Sequence, residues 1–286
     1  MREIAPKIYM EDHYLGVTLG AIVTTRGLIQ IDAPPMLDDG RSWRASLLNL
    51  GGGPERLLIN LDAHPDRTLG TRSMECMVIV QEKTAQVFRN RPTAFKPQSD
   101  ETGSDWETVP SLGNIRWMVP EITFSHQMEI HWGEKPVLLE HHAGPSAGAV
   151  WATIPAEKVA FAGDIIVLNQ PPFLAGSDIP AWIESLKILL SPAYRGYVVV
   201  AGRGGIATVD DIRAQLNFLN LVQSKLEKMA SKKSVSDAMD SLLTSLLADF
   251  KIPDNRRDQY TQRLRHGLLQ YYYRHYQNTN LTKSEE

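Results

Sequence analysis

Residues 57–70, LLINLDAHPDRTLG, constrain this chain more than any other stretch. Leu57, Leu58 and Ile59 form a short continuous apolar run, the pattern of a strand buried on both faces. The run leads into a tight group of polar side chains, Asp62, His64, Asp66 and Arg67, with Gly70 following. A buried strand running straight into short polar groups is the layout of a binding loop.

The rest of the chain reads as interleaved strands and helices. From Lys7 to Ile31 the sequence reads as strands around a turn at Arg26-Gly27, the second of them ending at Asp32. DDGRSWRASLLNLG has helical spacing at Trp43, Leu47 and Leu50 and stops at Gly51-Gly52-Gly53-Pro54. CMVIV reads as a buried strand and TAQVFRN as a helix. Residues 91–120, rich in Pro, Ser, Asp and Gly, read as a long loop or lid. EITFSHQMEIHW alternates like one half-buried strand, and KPVLLEHHAG, GAVWATIP and KVAFAGDIIV follow as further strands. The helix IPAWIESLKILLS precedes the strand GYVVVAGRGG. Three helices then close the chain. Thr208 with Asp211 marks the start of the first, and Ser234 with Asp237 that of the second. The third runs from about Arg256 to Tyr276, with Tyr260, Leu264, Leu268 and Tyr272 on one stripe. The polar tail NTNLTKSEE is expected to fray.

Composition narrows the function classes. With 286 residues, 43 % of them hydrophobic, the chain can bury a large core, and a net charge of −3 gives no reason to expect a nucleic acid or an anionic membrane as partner. Cys76 is the only cysteine, so the chain can form no disulfide within itself and no cysteine-based zinc site. That usage fits a reducing cytoplasm. MREIAPKIYMEDHY lacks a signal-peptide pattern, and no apolar run reaches 18 residues.

Set beside known motifs, the loop at 62–67 resembles that of the metallo-beta-lactamase superfamily, which reads H-x-H-x-D-H after a strand. Here Asp62 stands for the first histidine, His64 and Asp66 match, and Arg67 replaces the last histidine. GPSAGAVWATIPAEKVAFAGDII resembles the segment between a ligand histidine in H-T-P-G and a bridging aspartate in F-x-G-D. Pro145 takes the histidine's place, and Asp164 that of the bridging carboxylate. VVVAGRGGIAT resembles the V-P-G-H-G strand end, with Arg203 at its histidine. The resemblance implies a four-layer αββα sandwich over residues 1–206, with 207–286 as a C-terminal helical extension packed on the same domain.

It also implies a metal centre whose motifs are degenerate. At the second position stand Asp66, Arg67 and Arg203. A guanidinium has no lone pair to give, and at an effective dielectric near 20 and ~7 Å each would repel a divalent cation by about 5 kcal/mol. No metal is expected there. The first position could hold one Zn, Fe or Mn ion on Asp62, His64 and Asp164, with His142 as a fourth ligand. Adjacent His141 and His142 on a strand end point to opposite faces, so at most one reaches the cleft.

Two readings of the arginines compete. They can pair with Asp66, Asp164 and Asp62, replacing the metal by a charge cluster, or they can face solvent. On the first, the chain is a divergent homologue that has lost its dinuclear hydrolase site. Its cleft then binds a small, anionic molecule through Arg67 and Arg203, or a protein partner. On the alternative, it is a mononuclear hydrolase of esters, thioesters, amides or phosphodiesters, with Asp66 as the catalytic group orienting water. A third class is a scaffold acting through the C-terminal helices, where an exposed tyrosine stripe would favour a homodimer. Ser146 lacks the apolar strand that must lead into a nucleophile elbow, and Gly51-Gly52-Gly53 lacks the Lys-Ser/Thr of a phosphate loop.

Overall fold

The computed structural model describes residues 1–96, 101–109, 112, 115–230 and 236–277. Two sheets carry the architecture. The first has seven strands in chain order: β1 (Arg2–Ala5), β2 (Ile8–Glu11), β3 (Leu19–Val23), β4 (Gly27–Ile31), β5 (Glu55–Ile59), β6 (Met77–Gln81) and β7 (Ile122–Phe124). Neighbours pair antiparallel from β1 to β4 and parallel from β4 to β7. The second sheet contains β8 (Gln127–Ile130), β9 (Val137–His141), β10 (Val150–Ile154), β11 (Val159–Val167), β12 (Val198–Arg203) and β13 (Ile206–Ala207). Its spatial order is β13-β12-β11-β10-β9-β8, and only β11 and β12 run parallel.

The helices are α1 (Leu37–Leu48), α2 (Pro65–Thr68), α3 (Glu82–Asn90), α4 (Ile179–Leu189), α5 (Val209–Ala230), α6 (Ser236–Leu247) and α7 (Arg257–Tyr272). Side-chain alternation along the strands assigns them to layers. On β5, Leu57 and Ile59 enter the core between the sheets, while Leu58 packs outward with Trp43 and Leu47 of α1. On β12, Val200 enters the same inter-sheet core, while Val199 and Ala201 join the cluster under α4 to α7. Strands with both faces buried read as continuous apolar runs, which is what 57–59 and 198–201 are. The result is the expected four-layer αββα sandwich.

The C-terminal helices share that outer core. Leu219 and Leu226 of α5, Leu246 of α6 and Leu264 and Leu268 of α7 all lie with Trp182, Leu186 and Ile166 in one cluster. The stripe Tyr260, Leu264, Leu268 and Tyr272 is buried against the chain's own core, each residue at most 7 % exposed. Helix α5 begins with the reciprocal box read from the sequence: Thr208 Oγ1 accepts from the Asp211 N–H at 3.2 Å, and Asp211 Oδ2 accepts from the Thr208 N–H at 2.8 Å.

Some sequence expectations change. EITFSHQMEIHW is two strands, because the chain leaves the first sheet after Phe124 and enters the second at Gln127. Alternation continues across the break, so the pattern alone reads as one strand. The N-terminus adds β1, and the last α-helix stops at Tyr272, followed by a π-helical turn over Tyr273–Gln277. The Ser234 signal and the tail 278–286 lie outside the described residues. No helix among the described residues is long and apolar enough to cross a membrane.

If α7 belongs to the same core as the sheets, Leu264→Ala should lower stability by about 2–5 kcal/mol, the usual cost of such a buried truncation. Urea unfolding should remain a single transition. A two-step curve with α7 melting first would contradict a shared core.

Candidate functional site

Strand ends and one turn of helix bring the charged groups together. Asp32 follows β4 in a left-handed conformation (φ 58°), with its N–H bound to the Ile59 carbonyl at 2.9 Å. Asp62 and His64 follow β5, and Pro65 opens α2. His64 caps that helix: its Nδ1 accepts from the Asp66 N–H at 3.2 Å. This acceptor role requires Nδ1 to be unprotonated. Asp164 sits in β11 beside Gly163 (φ 60°), where the register with β12 shifts and the strand re-aims its side chains. A Cβ on Gly202 would lie 2.3 Å from Asp164 Oδ1, so glycine there lets the carboxylate approach the strand.

Two arginines occupy the centre, both essentially without solvent exposure. Arg67 is surrounded by three carboxylates. Its Nη2 donates to Asp164 Oδ1 at 2.6 Å, its Nη1 pairs with Asp32, and its Nε lies 2.8 Å from Asp62 Oδ1. That last contact is out of line for a hydrogen bond and is therefore electrostatic. Arg203 serves a second set. Its Nη1 donates to Asp66 Oδ2 at 2.8 Å, to Asp105 Oδ2 at 2.8 Å and to the Gly16 carbonyl at 3.0 Å, while Nε reaches Asp164 Oδ2 at 3.3 Å. Asp164 thus bridges two guanidinium groups, one through each oxygen.

A third arginine arrives from α7. Arg263 donates to the Gly103 carbonyl and to Gln170, and its Nη2 stands 3.5 Å from Asp105 Oδ1. Between Arg203 and Arg263 lies Phe173, with the two guanidinium carbons 4.7 and 4.1 Å from its ring centre. Such cation–π contacts offset part of the desolvation of two like charges. Arg256 and Gln259 add hydrogen bonds to Asp105 Oδ1, each at 3.0 Å. Asp66 in turn accepts the backbone N–H groups of Asp105 and Trp106, at 3.2 and 2.8 Å. The part of the expected lid at 101–109 is therefore tied to both the motif loop and the C-terminal helix.

Electrostatics follow from this packing. Burial alone would raise Asp164 and Asp66, yet the neighbouring guanidiniums, Arg203 foremost, hold both below the usual carboxylate range. Asp32, with burial dominant over its pairing to Arg67, is pushed up to about 6. Asp62 also rises, again from burial, with Asp164 adding repulsion. His64 is pushed down to about 4, by burial first and then by Arg203 and Arg67 against the opposing pull of Asp66. It stays neutral at physiological pH, consistent with its capping role.

The fold has counterparts among solved structures. The metallo-beta-lactamase family protein from Thermus thermophilus superposes with a TM-score of 0.63 at 17 % identity, over 95 % of this chain and 94 % of that one. A metallo-beta-lactamase from Pontibacter korlensis gives 0.61 at 17 % identity, over 77 % of this chain and 97 % of that one. Residues 78–199 also match the model of the metallo-beta-lactamase superfamily. This chain has the metallo-beta-lactamase fold. A double mutant of the sec-alkyl sulfatase PisA1 superposes with a TM-score of 0.59 at 14 % identity, covering 98 % of this chain but 51 % of its own length. No curated protein matches the sequence.

A metallo-beta-lactamase fold raises the question of metal, and the donors here do not fit one. Asp66 and Asp164 direct both oxygens, and Asp62 its Oδ1, to guanidinium or backbone N–H groups, and His64 Nδ1 is taken by a backbone N–H. Among the described residues no group of three or more His, Cys, Asp or Glu side chains is arranged to hold a metal ion. His142 requires a correction. Its ring stacks on Trp151 at 3.6 Å, and Trp151 belongs to the core beneath the C-terminal helices, so His142 is turned away from Asp62 and His64. Burial pushes it down to about 4.

Asp66, expected to orient a water, has its oxygens taken by Arg203 and two backbone N–H groups and does not line the adjoining cavity. Arg67 and Arg203 do not line it either. Their place is the ion cluster, not a ligand-facing wall. The cavity, about 480 Å³, is bounded instead by Asp62, His64 and Asp164 on the cluster side and by Arg91, Trp106 and Phe173 among others. Sequence reasoning assigned no role to Asp32, Asp105, Arg263, Phe173 or Arg91. Two faint signals existed: Asp32 ends a buried strand parallel to β5, and Arg263 falls on the buried stripe of α7.

Arg203→Ala should cost roughly 3–5 kcal/mol, since Asp66, Asp105 and Asp164 would remain buried without their common partner. An unchanged urea midpoint would refute that role. A pH effect is expected from His64. The unfolded chain takes its proton near 6.5 and the folded chain only near 4, so stability falls as pH drops through this window, by on the order of 3 kcal/mol in full. Asp32 acts oppositely, because its folded carboxyl takes a proton near 6 and its unfolded one near 3.8. His64→Asn keeps a capping acceptor and removes the first contribution, so its stability should fall less than the wild type's between pH 7 and 4. Parallel profiles would contradict the assignment.

Proposed function

We propose that this protein is a metal-independent, non-catalytic member of its fold class that binds a small anionic molecule in the cleft beside Asp62, His64 and Asp164. One observation carries the reading: Asp164, standing where the family's bridging carboxylate is expected, is shared between the guanidiniums of Arg67 and Arg203. Fixed side-chain cations take the part that metal ions would otherwise play in balancing Asp62, Asp66 and Asp164. The chemistry of hydrolysis in this fold needs a polarised water, and an arginine, permanently protonated, can neither ligate a metal nor act as a base.

What remains beside the cluster is a cavity in the size range of small-molecule sites. Aromatic walls with a few polar groups suit binding and orientation, with no activated nucleophile among the groups described. The second reading, a mononuclear hydrolase on Asp62, His64, Asp164 and His142, has its fourth ligand stacked on Trp151 away from the cluster.

Metal analysis by plasma mass spectrometry, on protein purified without chelator and again after incubation with Zn, Mn and Fe(II), tests the reading. We expect less than a tenth of an equivalent of each metal and a melting temperature unmoved by chelator. About one metal per chain, lost in His64→Ala, would overturn it in favour of the hydrolase.

A further inference from the structure

Two cations outside the ion cluster line the cavity, the exposed Lys96 and Arg91, and Arg91 is the desolvated one, with Asp62 exerting a weaker pull on it. Arg91, half-buried at the end of α3, lies with its guanidinium carbon 4.2 Å from the Trp117 ring centre and 5.1 Å from that of Phe88. Its hydrogen bonds go to neutral groups, the Ala63 carbonyl and, at 3.5 Å, Thr68 Oγ1. Among the described residues no carboxylate forms an ion pair with it. Burial lowers it to about 10, which leaves it charged at neutral pH but poorly solvated. A desolvated guanidinium held between rings, with its fork incompletely used, is suited to receiving a carboxylate.

Two of the residues that line the cavity also carry a polar atom without a hydrogen-bond partner. Trp106 Nε1 and Ser146 Oγ are both buried and make no hydrogen bond. Trp106 is itself 8 % exposed. Buried polar atoms are normally satisfied, and one left open is costly. Phe95, Trp117 and Phe173 contribute rings and Pro145 a further apolar face, beside the polar Lys96, Thr102, Ser104 and His266. Charge limits the head group. Asp62 and Asp164 line the cavity as well as Arg91 and Lys96, so a dianion would meet two carboxylates, whereas a single negative charge suits the one desolvated cation, Arg91.

Resting on the small-molecule reading above, we infer that the cleft takes an organic monocarboxylate with an apolar body, its head group on Arg91 and the donors Trp106 and Ser146, its body between the aromatic rings. Arg67 and Arg203 support the floor of this site from behind and do not touch the ligand.

Titration calorimetry, with the intrinsic fluorescence of Trp106 and Trp117 as a second signal, should compare octanoate, octanol and octyl phosphate on the full chain. Octanoate is expected to bind at least tenfold tighter than either of the others. Arg91→Met keeps an apolar stem against Trp117 and should weaken octanoate at least tenfold while leaving octanol unchanged. Ser146→Ala, a mild change that should not disturb folding, should weaken octanoate several-fold. Octanol binding as well as octanoate, with Arg91→Met indifferent, would leave the pocket standing and overturn the anion assignment. Tighter binding of octyl phosphate would overturn the single-charge limit. Silence from all three ligands would overturn the pocket reading and this assignment with it.

Discussion

The buried carboxylate of Asp164 between Arg67 and Arg203 is the interaction around which the rest of this molecule is arranged. Taking a carboxylate and two guanidiniums out of water costs several kcal/mol per ion, and only dense mutual pairing can return that cost. The structure supplies such pairing. Each arginine meets three carboxylates, and the aspartates that are not bridged engage backbone N–H groups or neighbouring amides. The cluster explains why the surrounding backbone takes unusual shapes: Asp32 in a left-handed turn, Gly163 at a bulge, and Gly202 where no side chain would fit.

The same network joins parts of the chain far apart in sequence. Asp105, from the segment at 101–109, is reached by Arg203 of β12 and by Arg256 and Arg263 beside and within α7. Phe173, from the loop after β11, fills the space between two of those arginines. The C-terminal helices therefore do more than cover the second sheet. They complete the charge balance of the cluster and hold one wall of the cavity, so the site depends on elements that no local segment contains.

On the proposed reading, guanidiniums in place of metals change what the fold can do. A divalent ion exchanges ligands and lowers the pKa of bound water, whereas a guanidinium fixed by three carboxylates presents a closed and permanently charged floor. On the same proposal recognition falls to groups outside those ion pairs, among them the desolvated guanidinium of Arg91.

The αββα layering was legible in the sequence because it rests on short-range periodicity. Leu57, Leu58 and Ile59 belong to a doubly buried strand, and the Thr208–Asp211 box starts a helix, whatever the remainder of the chain does. The degeneracy of the metal motifs was equally legible, since it concerns the identities of Asp62, Arg67, Pro145 and Arg203. Where side chains point was not. His142 is near the cleft segments in sequence, yet its ring stacks on Trp151 in the core beneath the C-terminal helices. Asp32, Asp105 and Arg263 lie 35, 98 and 160 positions from the groups they serve, and the periodicity that buries Arg263 does not say which group it meets. Ion pairing at such separations depends on which surfaces two sheets and three helices bring together, and only the tertiary structure decides that.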